Sequence, residues 1–315
     1  MKTRLFSGIS RIVMPFTLFF LVSPLFLLDA SPALKKARLV TLWQPQAQFA
    51  GYYAALDRGI YAKHGIDLTI IPGGAVISPA EMLRSGKADF AVLWLASALR
   101  ERDAGVQLIN LSQVLQRSSM MLVSRKTAGI TGIEALNGRK VSLWDGTLSL
   151  LPRFLFRKYG ITVNEVRQSY TVNLFLRGGV DAASAMWYNE YHVMLESGID
   201  ADELNVLFLN DYGVNFPEDG LYTLEKTVRN EPQLTAAFID ASLEGWRYAF
   251  AHPEESVDII IRHMHKAHIP ANRAHQKWML DRMRDLSGSK GSEHMPGVLS
   301  RTDYETLGRE MKAAG

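Results

Sequence analysis

Short apolar runs alternate with helical patterns along most of the chain, and this alternation limits the folds available to it. The first set of runs predicts strands at 38–42, 67–71, 88–94, 106–115 and 120–124. The segments between them predict helices at 48–64, 78–85 and 96–104. Helix 78–85 has Ser78 as N-cap, Pro79 in its first turn and Glu81 in a capping-box position. Such an order is typical of an α/β sheet with helices on both faces.

The alternation then restarts, which predicts a second lobe. Strands are predicted at 138–144, 165–170, 182–186, 206–208 and, as a returning extended segment, 214–224; helices are predicted at 133–136, 147–159, 174–177 and 188–197. The rest is mostly helical, at 232–251, 253–265, 271–286 and 301–312. We therefore predict a two-lobed α/β fold with C-terminal helices and an inter-lobe ligand cleft at the strand ends. Lobe 1 is predicted to comprise 34–125 plus 222–315 and lobe 2 to comprise 126–221, with hinges near 125–128 and 217–221.

The first 33 residues predict an export signal. Three basic residues precede an apolar stretch at 12–28, and small residues follow at 30–33. These features are typical of a secretory signal peptide, here cleaved after Ala30 or Ala33. The alternative is an uncleaved N-terminal anchor, because the apolar stretch of 17 residues has about the shortest length that can span a membrane. Both alternatives predict that the remaining chain is exported to the periplasm.

The composition excludes several classes of function. The chain has no cysteine, which rules out disulfides, thiolate zinc sites, iron–sulfur clusters and a cysteine nucleophile. Residues 1–33 hold +2 of the formal net charge of +3. No later segment has the dense basic run that binding a phosphate backbone requires, so nucleic-acid binding is not expected. The histidines at 263–268 predict a solvent-facing helix rather than a metal site, and no catalytic residue or cofactor is predicted.

The most informative segment is 42–61, LWQPQAQFAGYYAALDRGIY. A strand delivers Trp43 and Gln44 to a proline turn. The helix that begins near Gln48, and continues through Tyr52, points its free N–H groups at the same space. An aromatic ring beside amide side chains suits a flat ligand with polar edges. The alternative is a buried tryptophan that packs the strand–helix turn.

This segment and several later ones resemble the bacterial periplasmic solute-binding proteins related to thiamine-pyrimidine synthase. That family also includes binders of sulfonates, nitrate and riboflavin. The similarity covers most of 38–255, through GIDL at 65–68, PGG at 72–74, LRSGKADF at 83–90, LNGRKV at 136–141, GVDAA at 179–183 and MWYNE at 186–190. The resemblance implies a periplasmic-binding-protein fold of type II.

Further candidate cleft residues stand at predicted strand ends. They are Trp94 with Ser97, the run Trp144, Asp145, Gly146 and Thr147, and Tyr188 with Asn189 and Glu190. Gly146 allows close backbone approach, and Thr147 can cap the helix that starts there. The Glu190 carboxylate can accept a hydrogen bond from the exocyclic amine of an aminopyrimidine, while the Asn189 amide donates and accepts. Asp219 is a further candidate, near the predicted hinge at 217–221. The alternatives are a core tryptophan, a capped helix and a solvated helix start.

The resemblance implies a periplasmic receptor for an ABC importer: a monomer whose lobes close on one small molecule and then engage a membrane permease. It suggests a thiamine-precursor aminopyrimidine as the ligand. The alternatives are a receptor for a sulfonate, nitrate or riboflavin, and a sensory receptor. The related eukaryotic synthase consumes one of its own histidines. Because Ser97 stands at that donor position and the synthase's cysteine-rich motif is missing, no enzymatic activity is expected.

Overall fold

The computed structural model describes Gly8 and residues 33–213, 215–288 and 297–314. Leu34–Gly315 forms one compact unit. Apart from Gly8 and Ala33, the segment predicted to be an export signal lies outside the described residues, so its cleavage stays a prediction. Within the described ranges, no helix combines the length and the apolar character that crossing a bilayer requires.

The described residues form ten strands in two sheets. The strands are β1 (Lys35–Val40), β2 (Ile66–Ile71), β3 (Phe90–Leu93), β4 (Leu108–Gln113), β5 (Met120–Arg125), β6 (Lys140–Leu143), β7 (Asn164–Arg167), β8 (Ala182–Met186), β9 (Leu204–Phe208) and β10 (Gly220–Leu224). The first sheet has the order β2-β1-β3-β10-β4, and the second has the order β7-β6-β8-β5-β9. All four residues of the central strand β3 are buried, as expected for a strand covered on both faces.

Each sheet combines parallel strands with one antiparallel strand that arrives from the other sheet. In the first sheet, β1 pairs in parallel with β2 and β3, whereas β10 runs antiparallel between β3 and β4. In the second, β6 pairs in parallel with β7 and β8, whereas β5 runs antiparallel between β8 and β9. The chain therefore crosses between the sheets after β4 and again before β10. The lobe boundaries stay a prediction, although β5, which precedes the predicted boundary at 125, hydrogen-bonds within the second sheet.

The described residues also form twelve α-helices. They are α1 (Ala50–Asp57), α2 (Ile60–Lys63), α3 (Pro79–Arg84), α4 (Leu95–Asp103), α5 (Leu150–Lys158), α6 (Asn173–Leu176), α7 (Glu190–Glu196), α8 (Glu225–Asn230), α9 (Pro232–Ala251), α10 (Pro253–Lys266), α11 (Arg273–Leu286) and α12 (Arg301–Ala314). At the start of α3, the Glu81 backbone N–H donates to Ser78 Oγ at 3.3 Å, as predicted. The Glu81 side chain pairs with Arg84 and so does not complete a capping box, because a guanidinium is the stronger partner.

Helix α9 packs directly on α1 through glycine. A Cβ atom on Gly51 would lie 2.3 Å from the ring of Trp246, and one on Gly245 would lie 2.3 Å from the Gly51 carbonyl oxygen. Trp246 is 1% exposed and is among the largest fully buried side chains. The two helices therefore approach each other too closely for any side chain at either glycine position.

Several predicted elements have different bounds in the structure. The predicted helix 48–64 is divided, since a 3₁₀ turn at Ala47–Phe49 precedes α1 and Gly59, with a φ of 68°, separates α1 from α2. The predicted strand 214–224 is reduced to β10, because Asp219 has a φ of 45°, which strand residues do not adopt. The predicted strand 165–170 ends three residues early, and Tyr170 lies in the loop that follows.

Candidate ligand-binding cleft

A cavity of about 140 Å³ lies at the carboxyl ends of parallel strands from both sheets. Its lining residues are Leu42, Trp43, Gln46, Gln48, Trp94, Trp144, Leu148, Tyr170, Met186, Tyr188, Asn189 and Glu190. The segments after β1 and β3 supply one wall, and those after β6, β7 and β8 supply the other. Ligands of α/β proteins bind at such strand ends. Seven of the predicted site residues line this cavity together: Trp43, Gln48, Trp94, Trp144, Tyr188, Asn189 and Glu190.

A second, more open depression of about 600 Å³ lies between α2 and α9. Its lining includes Arg58, Lys63 and Arg247. It is built by the outer surfaces of helices and includes no strand end. We therefore take the cavity between the sheets as the candidate functional site.

Aromatic rings dominate the walls of the cavity. Trp43, after β1, and Tyr170, after β7, approach each other from the two sheets with ring centroids 5.1 Å apart. Tyr170 is 64% exposed, which is unusual for a large aromatic side chain. Tyr170 was not among the predicted site residues, although its position at the end of a predicted strand was a usable signal. The two tilted rings touch each other, and together they present an aromatic surface to the cavity on which a planar ligand can stack.

Glu190 and Asn189 form the polar edge of the cavity. Asn189 Nδ2 donates to Glu190 Oε1 at 2.8 Å, and the Met186 backbone N–H donates to Glu190 Oε2 at 3.0 Å. Burial raises the pKa of Glu190 above its ordinary value, and these hydrogen bonds oppose that rise. A carboxylate oxygen has room for two donors. Each Glu190 oxygen can therefore accept one further hydrogen bond from a ligand.

Asp219 stands behind the wall and holds two of its side chains. Gln48 Nε2 donates to Asp219 Oδ2 at 2.8 Å and to Oδ1 at 3.0 Å, and Trp94 Nε1 donates to Oδ1 at 3.1 Å. Asp219 is 2% exposed, and burial raises its pKa to about 7. Sequence reasoning selected Asp219 as a ligand-binding candidate, whereas in the structure it contacts the cavity wall rather than the cavity. It fixes the orientation of Gln48 and Trp94.

Glu218 joins the chain crossing that precedes β10 to the chain crossing that follows β4. Ser118 Oγ donates to Glu218 Oε1 at 2.6 Å, and the Ser119 backbone N–H donates to Oε2 at 2.8 Å. Burial raises the pKa of Glu218 to about 8, and the neighbouring Asp219 charge adds to that rise. Sequence reasoning missed Glu218, since nothing local marks it as buried. The two chain crossings are therefore joined by a buried carboxylate.

Seven predicted site residues, Asp219 among them, lie outside the cavity lining. Tyr52 is 1% exposed and packs edge-to-face on Trp246, with ring centroids 5.7 Å apart. Gln44 is exposed. Asp145 is also exposed and pairs with Arg167, with an Nε–Oδ2 distance of 2.6 Å. Gly146 has a φ of 67°, so a residue that tolerates the left-handed region is required there.

Ser97 and Thr147 contact each other. Their hydroxyl oxygens lie 2.9 Å apart and form a hydrogen bond between the start of α4 and the turn that precedes α5. Neither lines the cavity. Thr147 was predicted to cap the following helix, and this is wrong: the turn begins at Asp145 without a side-chain cap. The Thr147 hydroxyl is engaged by Ser97 instead.

Residues 46–256 match the family model described as NMT1/THI5 like. The chain belongs to the NMT1/THI5-like family. The match covers β2 to β10 and most of the cavity lining, whereas β1, Leu42 and Trp43 precede it. The family resemblance seen in the sequence is thereby confirmed.

Two curated relatives are named for small molecules that they bind. The NMT1/THI5-like chain is 24% identical over 251 residues to the riboflavin-binding protein RibY of Chloroflexus aurantiacus, which covers 76% of this chain and 70% of that protein. It is 22% identical over 293 residues to the formylaminopyrimidine-binding protein of Halalkalibacterium halodurans, which covers 83% of this chain and 82% of that protein.

A solved structure with a similar fold is that of the periplasmic aliphatic sulphonate binding protein SsuA from Escherichia coli. The TM-score is 0.69 at 14% identity, with 90% of this chain and 88% of that chain covered. At this identity the similarity concerns the fold alone. The predicted two-lobed α/β binding-protein fold is thereby confirmed.

Proposed function

We propose that this protein is the periplasmic solute-binding component of an ABC importer and that its ligand is an aminopyrimidine of the thiamine-precursor type. The observation that carries the proposal is the aromatic cavity with the Glu190–Asn189 pair at its edge. In this proposal, a pyrimidine ring stacks on the aromatic surface that Trp43 and Tyr170 present to the cavity. Glu190 accepts from the exocyclic amine, and Asn189 completes the polar edge.

The charge of the cavity supports an amine over an anion. Among the described residues that line the cavity, none is Lys, Arg or His. A sulfonate or nitrate would therefore face the Glu190 carboxylate without a cationic partner, and burial of an unpaired charge is costly. Binding of an amine is favoured instead, because the Glu190 carboxylate can accept a hydrogen bond from it.

The size of the cavity supports a single ring. Its volume of about 140 Å³ lies well below the range of about 300–1,000 Å³ that is typical of pockets for larger ligands. A tricyclic flavin needs a larger cavity than a single pyrimidine ring does. The relative named for formylaminopyrimidine binding supports the same ligand class. Binding between two hinged lobes would bring them into the form that a membrane permease recognises.

Calorimetric titration tests the ligand. Wild-type protein should bind an amino- or formylamino-pyrimidine and should give no heat with riboflavin, an alkanesulfonate or nitrate. Glu190→Gln should weaken binding by about 1–3 kcal/mol, because one acceptor becomes a donor that faces the ligand amine. Glu165→Gln is the matched control, since Glu165 lies exposed on β7 and pairs with Arg153. Binding of an alkanesulfonate without binding of any aminopyrimidine would refute the ligand assignment.

A separate assay addresses catalysis. The protein, given pyridoxal phosphate and iron, should form no pyrimidine. No histidine is among the described residues that line the cavity, and the family resemblance implies that Ser97 stands at the synthase's donor-histidine position. Mass spectrometry of the protein after incubation provides the readout. Pyrimidine formation with the loss of one histidine would instead indicate a synthase.

A further inference from the structure

Two histidines and a glutamate meet beside the cleft, between α7 and α11. His192 and Glu196 are four residues apart on α7 and therefore share a face, and His275 lies in the first turn of α11. The Nδ1 atoms of His192 and His275 are 2.9 Å apart, and each lies 3.7 Å from Glu196 Oε2. The histidine side chains are only 14% and 12% exposed, whereas that of Glu196 is 31% exposed.

The three donor atoms have the spacing of a metal-ion ligand set. A point equidistant from them lies about 2.0 Å from each atom. Zinc binds imidazole nitrogen and carboxylate oxygen at about 2.0–2.2 Å, commonly with three protein ligands and an open fourth position. The Glu196 side chain is partly exposed, so water can reach its carboxylate. Two imidazoles and one carboxylate favour a transition metal over Mg²⁺ or Ca²⁺, which prefer oxygen ligands.

A hydrogen-bond chain from the cavity orients the His275 ring. Asn189 Nδ2 donates to Glu190 Oε1, so Asn189 Oδ1 is the atom that faces His275 Nε2, at 3.0 Å. His275 Nε2 must then donate, and in the neutral ring Nδ1 is left with its lone pair directed at His192 and Glu196. Metal-ligating histidines typically donate their other ring N–H to such an acceptor.

The other two side chains are also held in place. Asn272 Nδ2 donates to Glu196 Oε1 at 2.7 Å, which leaves Oε2 toward the histidines, while Asn272 Oδ1 caps α11. The His192 ring stacks on Trp278 with centroids 4.8 Å apart. A hydrogen bond between two imidazoles requires neither the fixed carboxylate nor its amide support. Together these contacts form a site with all three ligands oriented.

We propose that His192, Glu196 and His275 bind one divalent transition-metal ion, with Zn²⁺ as the best match. The ion would join α7, which follows β8 of the second sheet, to α11. Helix α11 contacts the first-sheet wall of the cleft, since the Ala47 backbone N–H donates to Gln276 Oε1 at 2.7 Å. The ligands come from helices 83 residues apart, which explains why sequence spacing predicted no metal site.

Metal titration of the purified protein, dialysed against EDTA, tests this site. Wild type should bind one equivalent of Zn²⁺ with a Kd at or below about 1 µM, and Co²⁺ should give the visible absorption of a four-coordinate ion. His275→Ala and Glu196→Gln should each weaken Zn²⁺ binding by about 100-fold or more. His265→Ala is the matched control, because His265 is exposed on α10 and outside the cluster; its affinity should stay within about twofold of wild type.

Three results would overturn the proposal. They are no Zn²⁺ binding by wild type at about 10 µM, unchanged affinity in a folded His192→Ala/His275→Ala protein, and loss of binding in His265→Ala. Far-ultraviolet circular dichroism establishes whether each variant is folded. The Co²⁺ spectrum of wild type needs no variant, so it decides the question even where a variant fails to fold. None of these readouts depends on the identity of the organic ligand.

Discussion

Replacing Asp219 with asparagine removes a carboxylate that is buried behind the cleft wall. Burial raises the Asp219 pKa from an ordinary 3.8 to about 7. As pH rises above 3.8, the unfolded chain releases this proton while the folded protein retains it. Folding is therefore progressively disfavoured until the folded-state pKa is passed. The stability contributed by Asp219 thus falls as pH rises from about 4 to about 7, and it changes little above that range.

The size of the effect follows from the interval between the two pKa values. Each pH unit in which only the unfolded state has lost the proton costs about 1.4 kcal/mol. Between pH 5 and pH 8 about two such units remain, so Asp219 lowers the free energy of unfolding by about 3 kcal/mol. The Asp219 charge also raises the pKa of Glu218. Removing that charge should lower the Glu218 pKa in the folded protein, which further reduces the fall of stability with pH.

Urea unfolding at pH 5, 6, 7 and 8, followed by circular dichroism, measures this slope. Between pH 5 and pH 8, the free energy of unfolding of Asp219→Asn should fall by about 3 kcal/mol less than that of wild type. The slope is the diagnostic quantity, because the amide also changes the hydrogen bonds of Gln48 and Trp94 at every pH. Asp67→Asn, at an exposed position of β2, is the control and should keep the wild-type slope. If the unfolding free energies of wild type and Asp219→Asn changed equally with pH, the assignment of a raised pKa to Asp219 would be refuted.

The cleft wall, the α1–α9 crossing and the N-terminal segment each allow a direct test. Trp43→Ala should weaken aminopyrimidine binding by about 1–3 kcal/mol in calorimetry while the ligand-free melting temperature stays near wild type, since Trp43 faces the cavity; a large fall in that temperature would assign Trp43 to the core. Gly51→Ala should destabilise the protein by about 1–3 kcal/mol in thermal melts, because its Cβ would lie 2.3 Å from Trp246. Gly308→Ala, with no atom within 4 Å of the new Cβ, should be neutral or stabilising, and equal melting temperatures for these two variants would contradict the packing argument. A tagged full-length chain should be found in the periplasm, shortened at Ala30 or Ala33, whereas full-length protein in the membrane fraction would indicate an anchor.

Local pattern was sufficient for the elements whose signals are local. Strand β8 and helix α9 have the predicted bounds, because a short apolar run and a long helix starting at proline are unambiguous. The carboxyl ends of the strands could also be predicted, and so could the side chains that follow them. For this reason Trp43, Trp94 and Glu190 were found from the sequence and line one cavity.

Features that depend on distant partners could not be predicted in the same way. Tyr52 stands on a helix with apolar residues on several sides, so only the position of Trp246, almost two hundred residues later, decides that it faces the core. Asp219 has a left-handed backbone conformation, and its side chain is held by Gln48 and Trp94, which are distant in the sequence. Such contacts are set by tertiary packing rather than by local propensity.

The position of β10 within the first sheet has a consequence for the order of folding. β10 separates β3 from β4, and it lies about 130 residues after β3 in the chain. Until β10 has been synthesised, β4 has no strand to pair with in that sheet. The strands of the second sheet, in contrast, all lie within residues 120–208.

A chain that emerges N-terminus first can therefore complete the second sheet while the first is still divided. Closing the first sheet then requires a contact across a long loop, which is entropically costly and slow. We expect pulse-labelling hydrogen exchange to protect β6 and β8 before β3 and β4. The sheet that begins the chain is the last to be completed.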